Sequence, residues 1–298
     1  MWDNYLHQHC REYEYSLEAE KVLVNAARTV AENEQMHKAF GKHLSDYKQS
    51  HNRADIEASL MDICELAKDF PTAHETVEFL FFVLCSEHLK QLYQEEGYPE
   101  PYFRGVMLDM RYKLEECHNI RGIWGSMRAI WFIDFFALLR FAIGRLQYEV
   151  IAMPECMSAD GQYCFGGEKA VNVHIPSAGP LKREEVQESF RQATNFYADC
   201  FPGDCVLFTC QSWLLFPMHF QMLPENSGIR QFMDEFTIIH VVIDKSKCLH
   251  LWRVFGTYDV SNPETLPRNT SLQRIYAEWL EAGKPIGDGL GIKYVKKE

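Results

Sequence analysis

The chain has 298 residues, 47% hydrophobic and 24% charged, with a formal net charge of −12. That balance supports a packed core and excludes extended disorder. No run of five or six Lys/Arg breaks the acidic composition, so the basic surface needed to displace counterions from nucleic-acid phosphates is missing.

The first residues, MWDNYLHQHCREYEY, carry early charges and no apolar segment, which argues against a signal peptide and for the cytoplasm. Ala129 to Leu139 is the most apolar stretch, but Asp134 interrupts it and Arg140 follows. It is too short to span a bilayer and is expected to be a buried helix. There are ten cysteines and no CxxC pair; Cys200, Cys205 and Cys210 are five apart with no nearby His pair. Zinc ligands come in tighter pairs, so reduced structural thiols and no metal are expected.

Helical spacing dominates to about residue 140. Thr72 and Glu75 have the spacing of a capping box, and Gly97 supplies a stop. Between them Val77, Leu80, Phe81, Leu84, His88 and Leu92 recur at three and four residues, and Phe79, Phe82 and Val83 widen the stripe. Such a helix belongs at the centre of a bundle. With Ala54 to Lys68 and Tyr102 to His118 as further amphipathic segments, four to six packed helices are expected.

Beyond Gly144 the period changes to two. In Arg145 to Met153, Leu146, Tyr148, Val150 and Ala152 share one face, Gln147 and Glu149 the other. In Ala170 to Ile175, Val171, Val173 and Ile175 oppose Asn172 and His174. A turn from Pro176 to Pro180 leads to a helix with Val186, Phe190, Ala193 and Tyr197 on its stripe. Next come an apolar strand from Cys205 to Cys210 and a helical stretch after Pro217 that breaks near Pro224. Strands at Thr237 to Ile243 and Leu249 to Phe255 follow, joined by the hairpin-length link Asp244 to Lys247. Thr270 to Gln273 forms another capping box, opening a helix that stops at Gly283. Strand, helix, strand in the middle implies a parallel crossover. The reading is α+β: a helical domain over 1–140, then a mixed sheet flanked by helices over 141–298.

That order, with Gly144-Arg145-Leu146-Gln147-Tyr148-Glu149, His174-Ile175-Pro176, Gly179-Pro180-Leu181, Ser212-Trp213-Leu214-Leu215, Leu266-Pro267 and Thr270-Ser271-Leu272-Gln273-Arg274, resembles a bacterial family of N-acyltransferases. Its members join a helical N-terminal domain to a GNAT-like C-terminal domain. The resemblance covers roughly residues 75 to 292. It implies an acyl thioester, acyl-CoA or similar, as co-substrate, an amine as acceptor, and no tightly bound cofactor. The family carries an imidazole before the Ser-Trp pair and an acidic residue before Pro217; here Gln211 and Phe216 stand there. Ordinary GNAT enzymes hold the pyrophosphate on a glycine-rich loop, whereas this chain has Ser177-Ala178-Gly179-Pro180-Leu181.

On that resemblance the thioester lies where the strands Ala170 to Ile175 and Cys205 to Cys210 part. His174 is the first candidate base, against the reading of a hydrogen-bonded His in a buried turn. Glu149 is the second, able to do the same job or bind the amine, against a structural pairing with Arg145 or another cation. Ser212 could cap the next helix, protonate the departing thiolate or, with His174, act as a hydrolase nucleophile; Gln211 and Trp213 do not supply the elbow the last role needs. Arg145, Gln147, Asn172 and Trp213 are expected to bind substrate, Trp213 serving equally well as core. Lys182 and Arg183 open a helix whose N-terminus attracts phosphates, although Glu184, Glu185 and Glu188 crowd the same end. The alternative function is a GNAT-like binding module that has lost the reaction.

Overall fold

The computed structural model describes residues 2–158, 161–244 and 250–298. The chain divides into two compact units, with the break between Ala142 and Ile143.

The first unit holds α1 (Asp3–Glu12), α2 (Leu17–Glu32), α3 (Glu34–Gln49), α4 (Arg53–Ala67), α5 (His74–Glu95), α6 (Glu100–Arg121) and the single turn α7 (Ile133–Phe136). Ser16, Asn33 and Asn52 cap α2, α3 and α4 by accepting backbone N–H bonds. Helix α5 is central, as its all-round apolar sequence requires: every residue from Phe79 to Cys85 is buried. It packs on α2, α3, α4 and α6, and Phe82 meets the Phe132 and Phe136 rings edge-on at 5.4 and 4.9 Å. The expected box at Thr72 does not form. Ala73 is the N-cap, without a side-chain bond, and Glu75 is drawn inward to Arg121 at 2.9 Å. A buried carboxylate takes a charged partner before a cap. The apolar stretch from Ala129 is a 3-10 turn followed by α7 rather than one helix, and it is buried at Phe132, Ile133, Phe135 and Phe136.

Strand β1 (Arg140–Ile143), unanticipated in the sequence, leads into the second unit. There follow β2 (Leu146–Ala152), a small hairpin of β3 (Cys156–Met157) and β4 (Cys164–Phe165), β5 (Lys169–His174), α8 (Arg183–Tyr197), β6 (Cys205–Ser212), α9 (His219–Met222), α10 (Gly228–Met233), β7 (Thr237–Asp244), α11 (Trp252–Phe255), α12 (Ser271–Glu281) and β8 (Ile286–Lys296). The main sheet has the order β1-β2-β5-β6-β8-β7. Helix α8 makes the parallel crossover from β5 to β6; the β2–β5, β6–β8 and β7–β8 pairs are antiparallel.

Two expected elements are corrected. The segment ending at Phe255 is not a strand: residues 252–255 form α11, because Leu251, Val254 and Phe255, spaced three and four apart, enter a core cluster with Tyr276, Ala277 and Leu280 of α12. Leu249 and residues 245–247 of the expected hairpin link lie outside the described residues. The partner of β7 is instead β8, a strand the sequence reading missed.

Candidate functional site

The β1–β2 hairpin is pinned to α8 by one buried hydroxyl. Ser189 donates to the carbonyl of Ile143 at 2.5 Å, accepts from the N–H of Leu146 at 3.2 Å and touches the Tyr148 hydroxyl at 2.8 Å. Tyr148, Phe190 and Phe208 then build the core between α8 and the sheet. Side chains alternate along strands, so Gln147, Glu149, Asn172 and His174 lie on the opposite face. Register pairs Glu149 with Asn172 and Gln147 with His174.

On that face the structure brings both candidate bases together. Nε2 of His174 lies 2.7 Å from Oε1 of Glu149, and Asn172 donates its amide N–H to the same oxygen at 3.1 Å. Both side chains are mostly buried, Glu149 15% and His174 23% exposed. A carboxylate hydrogen-bonded to one ring nitrogen orients the imidazole. Sequence spacing leaves the two as alternatives; cross-strand register makes them one unit.

The ladder between β5 and β6 covers Val171 with Phe208 and Asn172 with Thr209. Both strands continue past it, β5 to His174 and β6 to Ser212, while the far edge of β6 stays paired with β8 up to Ser212 and Gly289. The last parallel pair, Asn172 with Thr209, thus lies two residues before His174 on β5 and two before Gln211 on β6.

Gln211 lies on the His174 face and lines a cavity of about 250 Å³ with Glu155, Met157, His240, Asp288 and Leu290. His250 faces Asp288 at 3.3 Å. Apart from Gln211, none of these residues stands out in the sequence, where β8 carries no apolar alternation to mark it as the partner of β7.

The other expected site residues make the contacts that follow. Arg145, 9% exposed, directs its guanidinium to the carbonyls of Pro176, Gly179 and Pro180 at 3.2, 2.7 and 3.2 Å, so it clamps the turn after β5. Ser212 accepts the N–H of Leu214 at 3.1 Å, the capping role. It follows Gln211, so alternation turns it from the His174 face. Trp213, partly buried, packs against the α12 cluster, 5.9 Å from the Tyr276 ring. Lys182 meets Glu185 at 2.7 Å and Arg183 approaches Glu235 at 3.8 Å, so each cation already faces a carboxylate. The N-cap residue of α8, Lys182, makes no side-chain cap bond. Phe216, at the position where an acid was expected, is buried against His219.

Behind the end of β6 lies a buried couple the sequence did not signal. His219 donates from Nδ1 to the carbonyl of Leu214 at 3.2 Å, and its Nε2 accepts from the Tyr276 hydroxyl at 2.5 Å. Burial lowers the imidazole pKa to about 4. The ring is neutral and its tautomer fixed.

Among the described residues no group of three or more His, Cys, Asp or Glu could hold a metal ion, and no helix is long and apolar enough to cross a membrane.

The architecture is a helical unit followed by a mixed sheet with one parallel crossover, with a carboxylate–imidazole pair on one sheet face beyond the last β5–β6 pair. The N-acyltransferase N-terminal domain matches residues 4–138 and the GNAT-like C-terminal domain residues 140–293; the chain belongs to the family that joins these two domains. No curated protein matches it. Among solved structures, an acyltransferase in complex with decanoyl-CoA and teicoplanin superposes with a TM-score of 0.71 at 18% identity, over 97% of this chain and 87% of that one. An acyltransferase in complex with decanoyl-CoA gives 0.70 at 20% identity, over 96% and 86%. A mutant acyltransferase with octanoyl-CoA gives 0.71 at 18%, over 99% and 88%. At these identities the likeness is one of fold.

Proposed function

We propose that this protein is an N-acyltransferase that moves an acyl group from acyl-CoA, or a similar acyl thioester, to an amine. The observation that carries the reading is the Glu149–His174 pair at 2.7 Å, placed where the β5–β6 ladder stops. Family membership and the acyl-CoA complexes among proteins of the same fold support the donor class.

In this reading the thioester lies between the ends of β5 and β6, with its carbonyl near His174. His174, its Nε2–H held by Glu149, takes one proton from the acceptor ammonium through its other ring nitrogen. The freed amine attacks the thioester carbonyl, and the new C–N bond forms as the C–S bond breaks. The thiolate leaves and takes up a proton, so an amide and a free thiol result. Asn172, which donates to Glu149, keeps the carboxylate turned toward the ring. The diphosphate end of the donor falls to the uncapped N-terminus of α8. Trans peptide geometry sets each N–H opposite its carbonyl, so the Arg145 clamp turns the amides of Ser177 and Leu181 away from the guanidinium. The Lys182–Glu185 pair is exposed and costs little to open toward a phosphate.

The test is mass spectrometry of reactions containing decanoyl- or octanoyl-CoA and a panel of amines, with calorimetry of donor binding. Transfer by the wild type that collapses in His174→Ala is expected. Donor binding without transfer would leave the chain a binding module; no binding of any acyl thioester, coenzyme-linked or carrier-linked, would remove the acyltransferase reading.

A further inference from the structure

Gln147 is 1% exposed, and among the described residues neither Nε2 nor Oε1 of its amide has a hydrogen-bond partner. Burying such a group unpaired is unfavourable, and folded proteins keep few of them. A hydrophobic residue of similar volume would serve a purely structural position better. The amide stands on the same sheet face as Glu149, two residues away, and is the direct register partner of His174. Cross-strand partners of this kind bring their Cβ atoms to within roughly 5 Å.

We infer that the Gln147 amide is kept for the amine acceptor, and that it reads a small neutral hydrogen-bonding group, a hydroxyl or an amide, close to the amine that is acylated. This rests on the acyltransferase reading and deepens it. Three points select the ligand. The unpaired amide offers both a donor and an acceptor, which matches a neutral group that also offers both. Its burial excludes a charged partner, because no countercharge is bonded to it, and favours one as small as a hydroxyl. Its place on β2 lies on the far side of β5 from the parting with β6, so the group it meets belongs to the acceptor. A site built to bond a substrate hydroxyl rejects the analogue that lacks it far better than an apolar pocket rejects a methyl group.

Gln147→Met, which keeps volume and removes both polar atoms, tests this with two readouts. The first is the thermal midpoint of ligand-free protein. A midpoint equal to or above that of the wild type is expected, because an unsatisfied amide has been removed; a fall of several degrees would show the amide bonded internally and overturn the inference. The second is the ratio of kcat/KM for 2-aminoethanol to that for propylamine, with octanoyl-CoA as donor. The wild type should prefer the hydroxyl-bearing amine, and the variant should lose at least about tenfold of that preference. An unchanged ratio in a folded variant would overturn the inference while leaving the acyltransferase reading intact. Failure of the wild type to acylate any amine would instead sink the acyltransferase reading, and this inference with it.

Discussion

Glu149 and Asn172 are direct register partners across β2 and β5, yet the closer contact of the Glu149 carboxylate is diagonal, to His174 two residues further along. A diagonal reach of that kind places the ring at the strand end, where the parallel ladder has already stopped. The pair is therefore fixed by sheet geometry and not by a mobile loop.

Charge orientation through such a pair predicts non-additive losses. Glu149→Gln removes the carboxylate and should lower kcat by roughly 10². His174→Ala should lower it by up to about 10⁴, and the double variant should be no slower than His174→Ala alone. A double variant slower by the product of the two losses, in single-turnover assays, would separate the residues into independent roles.

The Arg145 clamp predicts a different signature. Arg145→Leu leaves three loop carbonyls without their donor, which costs about 1.5–3 kcal/mol. The turn after β5 should loosen, so KM for the acyl thioester rises while kcat changes less. Arg145→Lys should not restore the wild-type value, since an ammonium cannot span three carbonyls as a planar guanidinium does. Steady-state kinetics with a denaturant melt would check both halves.

The fold was legible where one periodicity ruled. The broad apolar stripe of α5, the alternation of β2 and β5, the α8 stripe and the Thr270–Gln273 box all stand in the structure, the last with both of its bonds formed. Strand β8 was not legible, because Gly287, Gly289 and Gly291 empty one of its faces and leave no apolar alternation. The reason is close approach of other chain segments: a Cβ on Gly287 or Gly289 would stand 2.1 Å from the carbonyl oxygens of Val242 and Leu215. Missing β8 also hid Asp288 and the cavity. The residue types of the site were legible, but their roles were not. Whether Glu149 meets Arg145 or His174 depends on cross-strand register and on a loop that returns its carbonyls to Arg145, and neither is written in local spacing.

Two buried imidazoles set the acid limit. Burial lowers His219 to about 4 and His9, in the helical unit, to about 3, from an ordinary value near 6.5. Between those values the unfolded chain binds protons that the folded one does not. Stability is therefore fully present above pH 6.5 and is lost as pH falls toward 4, with the His9 contribution continuing toward 3. For His219 the loss is on the order of 3 kcal/mol. Urea melts from pH 7 to pH 4 should show a falling midpoint, and Tyr276→Phe, which deprives Nε2 of its donor, should start from a lower midpoint at pH 7. A flat profile across that range would mean that neither ring is shut away from water.

The β8 glycines give the sharpest steric prediction. Gly289 lies opposite Ser212, and the chain leaving β6 presses the Leu215 carbonyl against it. A methyl group there meets backbone that cannot rotate away, so Gly289→Ala should destabilise by about 1–3 kcal/mol or more. The strain also falls on the strand end that faces His174, so donor affinity should drop in the fraction that folds. Gly203, which has open space around its Cβ direction and no left-handed backbone, is the matched control. Gly203→Ala should melt within about 0.5 kcal/mol of the wild type, as surface changes ordinarily do. Equal midpoints for the two variants by calorimetry would show that β8 can move away from Leu215, and the end of β6 would then not be held as rigidly as the proposed donor site requires.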